Sequence, residues 1–394
     1  MHEREIIFLV FLSLRRKTKG RVCRKECIIE DSEMVMTGGK DNDSKNDAKM
    51  TVLKNSEKPV ALKPDIFQSL TSQLKDYLAW IDREILNQAE EFDAGIVPLF
   101  RYVLASEGKR IRPLLVLLSA KGSGGIGENH LYLAVVVEMI HLATLVHDDI
   151  LDGASMRRGI PSVTSRWGSE ISVLLGDNLF AQALKVCCRL HPDIIQSVAN
   201  GVCVVCSGEI LQTRRRFDWN LLEEEYLKII QMKTGELFRI PCELAARLNS
   251  ASRTVSEALG RFGQALGSSY QIYDDCLDLF GSEENVGKTL GTDLGGGKLT
   301  LPILYLYQQG SEEIKRTLVE IFENGVSADW KKIQFWIVKE GILKKTFQTA
   351  MSFLEKGEKE LALLPESDEK DCLLDVGKIL ANHLLELVKE NSVL

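Results

Sequence analysis

Two aspartate clusters share one spacing in this chain of 394 residues, and each ends a long apolar stretch. The clusters are Asp148-Asp149-Ile-Leu-Asp152 and Asp274-Asp275-Cys-Leu-Asp278. Residues four apart lie on one face of an α-helix, so the first and last carboxylates of each cluster point the same way. Carboxylates stacked among apolar residues are costly unless a cation neutralises them. Oxygen ligands of this kind are typical of Mg²⁺ sites that water and substrate phosphate complete.

The helix that leads into the first cluster has one polar stripe in an otherwise apolar segment, residues 131–146. The positions of the stripe step by three and four: Glu138, His141, Leu145, Asp148 and Asp152. A helix that is apolar on all sides but one is normally buried, and its polar stripe should line a cavity. Gln271 begins a similar stripe in the second cluster. Two buried helices with facing carboxylates therefore predict a metal site inside a helical bundle.

Basic residues accompany both clusters, as a diphosphate site requires. The candidate cations are Lys109, Arg110, Arg112, Arg157, Arg158, Lys233, Lys288 and Lys298. Gly108 allows close approach of the backbone, and Gly159 ends the helix signal that runs through the first cluster. Arginine binds phosphate bidentately and lysine acts as a point charge. The pattern predicts a diphosphate that is held through metal on one side and by cations on the other.

These motifs make the chain resemble the trans-type isoprenyl diphosphate synthases of the polyprenyl synthetase family. They occur in family order as GKRIRP, HDDILDGASMRRG, GEILQ, KTGEL, YQIYDDCLDLFG and GKTLGTDLGGGKLTLP, and the likeness runs from about Ile66 to the C-terminus. One departure is Glu107, which stands where the family commonly has a second glycine. The resemblance implies the all-α isoprenoid synthase fold, a single-domain helical bundle around a central cavity, for residues 61–394.

The resemblance also implies roles for the residues that match its motifs. Three Mg²⁺ ions would be held chiefly by Asp148, Asp152 and Asp274, with Asp149, Asp275 and Asp278 as additional or supporting ligands. The allylic diphosphate would be bound by Arg157, Lys233, Thr234, Gln271 and Lys288. The diphosphate of isopentenyl diphosphate would be bound by Gly108, Lys109, Arg112, His141 and Arg158. Lys298 is a further substrate-binding candidate. The catalytic set would be Asp148, Asp152, Asp274, Lys233 and Arg157.

The implied reaction is chain elongation by prenyl transfer. The allylic C–O bond ionises, the double bond of isopentenyl diphosphate attacks the carbocation, and a proton is lost, with no protein nucleophile. The alternatives are a short-chain farnesyl or geranylgeranyl diphosphate synthase, a class I terpene cyclase and a non-catalytic subunit of a heteromeric synthase. A cyclase normally has a different second metal motif and lacks both basic motifs, and a non-catalytic subunit would have eroded aspartate clusters.

Product length should depend on the residues one turn before Asp148. Ala143 and Thr144 are small, whereas short-chain members of the family often have bulky aromatic residues at this level. Spacing favours Thr144 as the residue on the face of Asp148, and the resemblance points to Ala143. One helical turn rises about 5.4 Å, close to one isoprene unit, so small residues at this level should leave room for a longer chain. The resemblance to medium- and long-chain members of the family then implies a product of roughly six to ten units.

Composition limits the partners. A net charge of −7 argues against nucleic acid as a partner. We expect no integral membrane segment, a cytoplasmic enzyme and, from the resemblance, a homodimer. Residues 1–60 are expected to be a disordered extension or the result of a mis-assigned start codon; organellar targeting by this segment is the alternative.

Several features have a plain structural interpretation. Arg214 to Arg216 should form a solvated face, and Asp218 should cap a helix over residues 219–232. Another helix should run from Pro64 to Ala89. The cysteines of the apolar stretches should be reduced core thiols: Cys187, Cys188, Cys203, Cys206, Cys242 and Cys276.

Overall fold

The computed structural model describes residues 64–105, 108, 110–281, 291–324 and 330–391, and most of these residues are helical. The all-α prediction is therefore confirmed for this part of the chain. The predicted N-terminal extension, residues 1–60, lies outside the described residues. Lys109 and Lys288, two of the candidate substrate ligands, also lie outside them.

The described elements are α-helices, one π-helical turn and one short β-hairpin. In chain order they are α1 (Pro64–Ala89), α2 (Val97–Ala105), α3 (Ile111–Ser123), α4 (Glu128–Leu151), β1 (Met156–Arg157), β2 (Ile160–Pro161), α5 (Val163–Cys187), α6 (Pro192–Arg214), α7 (Glu223–Ile230), a π-helical turn (Gln231–Gly235), α8 (Glu236–Leu248), α9 (Arg253–Phe280), α10 (Thr292–Gly295), α11 (Leu301–Gln309), α12 (Glu312–Asn324), α13 (Trp330–Lys339), α14 (Ile342–Leu361) and α15 (Asp368–Asn391).

The helices that carry the two aspartate clusters lie in the core. In α4 the apolar residues from Leu133 to Val137 are all buried, as the apolar pattern predicts, and the helix packs against α3, α5 and α8. Helix α9 starts at an N-cap, Ser252, whose hydroxyl accepts the N–H of Val255 at 3.3 Å, and it packs against α8 and α14. The predicted helix from Pro64 to Ala89 is confirmed by α1.

The first cluster is followed by a β-hairpin rather than by more helix. Helix α4 ends at Leu151, and Gly159, which was expected to end the helix, lies in the turn between β1 and β2. Arg158 and Gly159 have φ values of 52° and 78°. Positive φ at both central residues is typical of a type I′ turn, which matches the twist of two short antiparallel strands. This turn holds Arg157 and Arg158 next to the end of α4.

The segment after α6 differs from the sequence prediction. Asp218 does not cap a helix: its Oδ1 accepts the N–H of Asn220 at 3.0 Å in a local turn, and the helix begins later, at Glu223. The N-cap contact comes from Glu225, whose Oε2 accepts the N–H of Leu222 at 3.3 Å. The first three residues of the KTGEL motif then end the π-helical turn, an irregularity that is frequent at functional sites, and its last two residues begin α8.

Two of the described helices are long and apolar enough to cross a membrane by length and composition alone. They are α4, which is mostly buried in the protein, and α6, which is mostly exposed. The core helix of a soluble protein satisfies the same criteria, so the expected absence of a membrane segment stays a prediction.

Helix α6 also corrects the interpretation of the cysteines. Cys203 and Cys206 are exposed there, as is Cys188, whereas Cys187, Cys242 and Cys276 are buried as expected.

Candidate active site

Asp148 and Asp149, at the start of the first cluster, contact cations from separate parts of the chain. Asp149 is buried and accepts hydrogen bonds from Arg157, with Nε at 2.8 Å from Oδ1. Burial raises the pKa of Asp149, although the guanidinium of Arg157 opposes that rise. Asp148 lies 3.6 Å from the Nζ of Lys233. Lys233 also contacts the carboxylate of Glu209 and donates to Gln212 at 3.0 Å. The GEILQ and KTGEL motifs thus meet at the first cluster.

Asp152 is held on both of its oxygens. Lys298 donates to Oδ2 at 2.7 Å, and Arg216 donates to Oδ1 at 3.0 Å. The contact with Arg216 corrects the expectation that Arg214 to Arg216 form a solvated face: Arg216 is 19 % exposed, whereas Arg214 is exposed as expected. Lys298 also contacts Asp293 at 3.1 Å. Lys298 was predicted to bind substrate, and in this structure it bridges two carboxylates.

The middle carboxyl group of the second cluster, Asp275, accepts hydrogen bonds from neutral donors. The hydroxyl of Tyr226 donates to Asp275 Oδ2 at 2.5 Å, and the amide of Gln271 donates to Oδ1 at 2.8 Å. The hydroxyl of Thr234 donates in turn to Gln271 Oε1 at 2.7 Å. Burial, reinforced by the nearby Asp293, raises the pKa of Asp275 to about 7. The backbone N–H of Asp293 contacts Asp278 Oδ2 at 3.3 Å.

Arg157 and Asp293 link the two clusters. Burial lowers the pKa of Arg157, but Asp149, Asp148 and Asp274 outweigh it and raise the pKa overall. Arg157 therefore interacts electrostatically with carboxylates of both clusters. Asp293 contacts Lys298 on the side of the first cluster and Asp278 on the side of the second. The tertiary structure therefore brings the two carboxylate clusters to one site, as the stripes predicted.

A second group of cations surrounds His141. Burial, with the charges of Arg112 and Arg158, holds the pKa of His141 well below its usual range, so the imidazole is neutral near pH 7. Burial also lowers the pKa of Arg112 to about 10, and its buried Nε has no hydrogen-bond partner among the described residues. A Cβ at Gly108 would lie 2.7 Å from Arg158 Nη1. The backbone at Gly108 therefore lies directly against this guanidinium, and a side chain there would require Arg158 to move.

The start of α3, which carries Arg112, is fixed by Arg110, the N-cap of this helix. Arg110 has a φ of 49° and contacts Asp82 of α1 at 2.7 Å and Glu138 of α4 at 2.8 Å. Glu138 is 2 % exposed, and its charge raises the pKa of both Arg110 and Arg112. The carboxylate of Glu138 thus supplies the counter-charge that keeps buried arginines at this position.

The oxygen ligands fit Mg²⁺ in chemistry and in accessibility. The described residues contain no group of three or more His, Cys, Asp and Glu side chains that could hold a metal ion. Mg²⁺ sites with substrate phosphates need only one or two carboxylates, since phosphate oxygens and water complete the octahedron. Asp148, with 22 % of its side chain exposed, is accessible for this role. The ions would therefore be shared between aspartates and a bound diphosphate.

Sequence reasoning missed several residues of this site. Glu209 and Gln212 lie in a motif that was noted without a role, and Asp293 lies between the two basic residues of the last motif. Tyr226 gave no sequence signal, because an aromatic residue on a helix is normally read as core. Ala143 is fully buried, whereas Thr144 is partly exposed and donates to the carbonyl of His141 at 2.8 Å.

The chain matches the family model "Polyprenyl synthetase" over residues 95–336, more than half of its length. The chain belongs to the polyprenyl synthetase family. It is 32 % identical to heptaprenyl diphosphate synthase component 2 of Geobacillus stearothermophilus, with 79 % of this chain and 97 % of the relative covered. It is 31 % identical to geranylgeranyl diphosphate synthase of Methanosarcina mazei, with 75 % and 95 % covered.

A solved structure supports the same grouping. The polyprenyl synthase of Caulobacter crescentus, in complex with calcium and isoprenyl diphosphate, superposes with a TM-score of 0.77 at 32 % identity, covering 81 % of this chain and 97 % of that one. The comparisons confirm the predicted family, the all-α isoprenoid synthase fold and the classification as a prenyltransferase enzyme.

Proposed function

We propose that this enzyme condenses isopentenyl diphosphate with an allylic diphosphate in an Mg²⁺-dependent reaction and releases an all-trans polyprenyl diphosphate. The observation that carries the proposal is the arrangement of cations in two groups. One group, Arg157, Lys233 and Lys298, contacts the first aspartate cluster. The other, Arg112 and Arg158, lies near a neutral histidine, His141. Two such groups of cations suit the diphosphates of two substrates that have different roles in the reaction.

The allylic diphosphate belongs on the side of the aspartate clusters. Lys233 and Arg157 lie against Asp148 and Asp149, where a diphosphate bridged to the carboxylates would meet both cations. Thr234, which precedes the end of the π-helical turn, is linked through Gln271 to Asp275. Bound Mg²⁺ would supply Lewis-acid stabilisation of the departing diphosphate. The cations would stabilise the same developing charge.

Isopentenyl diphosphate belongs in the pocket of Arg112, Arg158 and His141. A neutral imidazole beside two guanidinium groups can donate a hydrogen bond to a phosphate oxygen without adding a charge. The low pKa of Arg112 shows that the charge of Glu138 offsets only part of the cost of burying this cation, and a diphosphate would offset more of it. This substrate would then need no direct contact with the aspartates, and its double bond remains available to the carbocation.

We propose a medium- or long-chain product. Relatives named for heptaprenyl and geranylgeranyl diphosphate match this chain at nearly equal identity, so overall identity does not decide the length. The small residues one turn before Asp148 favour the longer product. Ala143 has no atoms beyond Cβ, and Thr144 directs its hydroxyl to its own helix at His141. Ala143→Phe and Thr144→Phe should therefore be compared, and shortening to three or four units by either would support an open floor at this level.

We also propose a homodimer. Large apolar residues are exposed on α5 and α6, among them Leu174 at 64 %, Leu184 at 44 % and Ile210 at 60 %. Exposed apolar surface of this kind marks interaction sites in soluble proteins. Light scattering after size-exclusion chromatography should give twice the chain mass, and Leu174→Asp should shift the protein to the monomer.

The proposed reaction is tested with purified protein, labelled isopentenyl diphosphate, farnesyl diphosphate and Mg²⁺. Products are dephosphorylated and separated by chromatography. A ladder of prenols longer than farnesol is expected, and it should disappear when a chelator removes the metal. A cyclic hydrocarbon formed without isopentenyl diphosphate would indicate a terpene cyclase. No product in any mixture, with a folded protein, would contradict the proposal.

A further inference from the structure

Asp152 occupies an electrostatically unfavourable position. It is the C-cap of α4, with φ −96° and ψ −3°, and its N–H contacts the carbonyl of Asp148 at 2.9 Å. The C-terminal end of a helix is the negative end of its dipole, and its last carbonyl groups lack helical partners. A carboxylate here also lies near two other aspartates of its cluster. A fixed cation would both offset this charge and hold the carboxylate in one orientation.

A single guanidinium group, that of Arg216, binds both a carbonyl at the end of α4 and the carboxylate of Asp152. Its Nη1 donates to the carbonyl of Leu151, the last residue of α4, at 3.1 Å. Its Nη2 donates to Asp152 Oδ1 at 3.0 Å, while Lys298 occupies Oδ2 at 2.7 Å. Each carboxylate oxygen has two lone pairs, so one on each oxygen remains for another ligand. A lysine could not form this fork, because its charge is not planar and bidentate.

The two loops that supply these cations are joined directly to each other. The N–H of Phe217 donates to the carbonyl of Gly297 at 2.8 Å. Phe217 has a φ of 58°, and Gly297 has a φ of 75°, where a Cβ would lie 2.3 Å from the ring of Phe217. A strained φ in a bulky residue persists only where the surroundings enforce it. This contact fixes Arg216 and Lys298, the neighbours of Phe217 and Gly297, on the two sides of Asp152.

We propose that Arg216 is a positioning residue that orients Asp152 for Mg²⁺-diphosphate binding. This inference rests on the proposed function, since it assigns a role within the same site. Arg216 is held by a backbone carbonyl of α4 and by its joined loop, so it stays in place when ligand binds. A cation that only neutralised Asp152 would compete with Mg²⁺ for its carboxylate. A cation that holds the carboxylate in one orientation lowers the entropic cost of ordering this side chain when Mg²⁺ binds.

Calorimetric titration with inorganic pyrophosphate in the presence of Mg²⁺ measures this role without turnover. Arg216→Ala should weaken Mg²⁺-dependent pyrophosphate binding about tenfold, which corresponds to about 1.4 kcal/mol. Arg216→Gln should lose less, because its amide can still donate one hydrogen bond. Arg214→Ala is the matched control: this arginine lies two residues away, is exposed, and should bind pyrophosphate as the unaltered protein does.

Thermal unfolding of the same proteins, with and without Mg²⁺-pyrophosphate, separates positioning from general stability. For Arg216→Ala we expect a smaller rise in Tm on ligand addition than for the unaltered protein, since ligand stabilisation follows affinity. Equal or tighter binding by Arg216→Ala, or equal weakening in Arg214→Ala, would overturn the proposal. If the unaltered protein binds Mg²⁺-pyrophosphate but transfers no prenyl group, the proposed function fails while the titration still decides the role of Arg216.

Discussion

The two aspartate clusters have the same spacing and lie on buried helices, yet their surroundings differ. The first, on α4, is held by charged partners: Arg157 contacts Asp149, Lys233 contacts Asp148, and two cations share Asp152. The second, on α9, contacts neutral donors at its middle carboxylate. Tyr226 and Gln271 hold Asp275 on its two oxygens.

The difference shows that motif spacing does not fix the charge of a carboxylate cluster. Spacing places the oxygens on one face of a helix, and partners from elsewhere in the chain decide how much charge remains. The cations largely neutralise the first cluster. Neutral donors hold the buried carboxyl group of Asp275, and burial raises its pKa to about 7. The aspartates of the first cluster therefore depend on ion pairs, and Asp275 of the second depends on hydrogen bonds.

The largest effect is expected from the leading aspartates, which both clusters have in common. Asp148→Ala and Asp274→Ala should each lower kcat by about 10³-fold or more, because a contact to the metal-bound leaving group is lost in the transition state. Circular dichroism should show an unchanged fold. Steady-state rates at saturating Mg²⁺ test this, and a near-normal rate in either variant would show that one cluster alone suffices.

Removing the partner of each middle aspartate tests the difference between the clusters directly. Arg157→Ala leaves Asp149 as a buried, uncompensated charge and should lower the free energy of unfolding by about 3–5 kcal/mol. Tyr226→Phe removes one neutral donor from Asp275 and should cost about 1–3 kcal/mol. Denaturant unfolding measures both, with Arg214→Ala as an exposed control. A larger loss of unfolding free energy in Tyr226→Phe than in Arg157→Ala would show that Asp275 depends more on its partner than Asp149 does.

The comparison extends to the cations, since Lys233 contacts the first cluster and Arg112 contacts neither. Arg112→Ala should raise KM for isopentenyl diphosphate roughly 10- to 100-fold, about the loss of one hydrogen bond to a charged group. Lys233→Ala should instead weaken binding or ionisation of the allylic substrate. Kinetics with each substrate varied in turn provide the test. If Arg112→Ala raises only the KM for the allylic substrate, the two substrates bind at the opposite sites from those proposed.

The smallest effect concerns His141, outside both clusters. Its pKa is well below the ordinary value in the folded protein, because of burial and the neighbouring arginines. Below about pH 6.5 the unfolded chain binds a proton at this histidine that the folded protein does not. Stability should therefore fall as pH decreases, by at most about 1.4 kcal/mol per pH unit for one proton.

Denaturant unfolding of the unaltered protein and of His141→Gln at about pH 5 and about pH 7.5 isolates this contribution. The variant should lose less stability between the two values, since glutamine does not titrate. Identical pH dependence in both proteins would show that His141 keeps an ordinary pKa and is accessible to solvent, contrary to a buried place in the arginine pocket.

The parts of the site that depend on the periodicity of a single helix were predictable from the sequence. The i, i+4 spacing placed Asp148 and Asp152 on one face of a helix, and the apolar pattern around Glu138 and His141 predicted that this helix is buried. Prediction failed where residues act through distant partners. Arg216 was read as solvated, because three consecutive arginines after a helix give no sign that one of them reaches another helix end.

The sequence by itself determined the helices, their buried faces, the two carboxylate clusters and the family to which the chain belongs. Only the tertiary structure decided the partners of each carboxylate. Lys298 contacts Asp152 across 146 residues of sequence, and Tyr226 contacts Asp275 across 49. The physical reason is that backbone geometry repeats every few residues and leaves a local pattern. A contact between distant segments depends on how every helix between them packs.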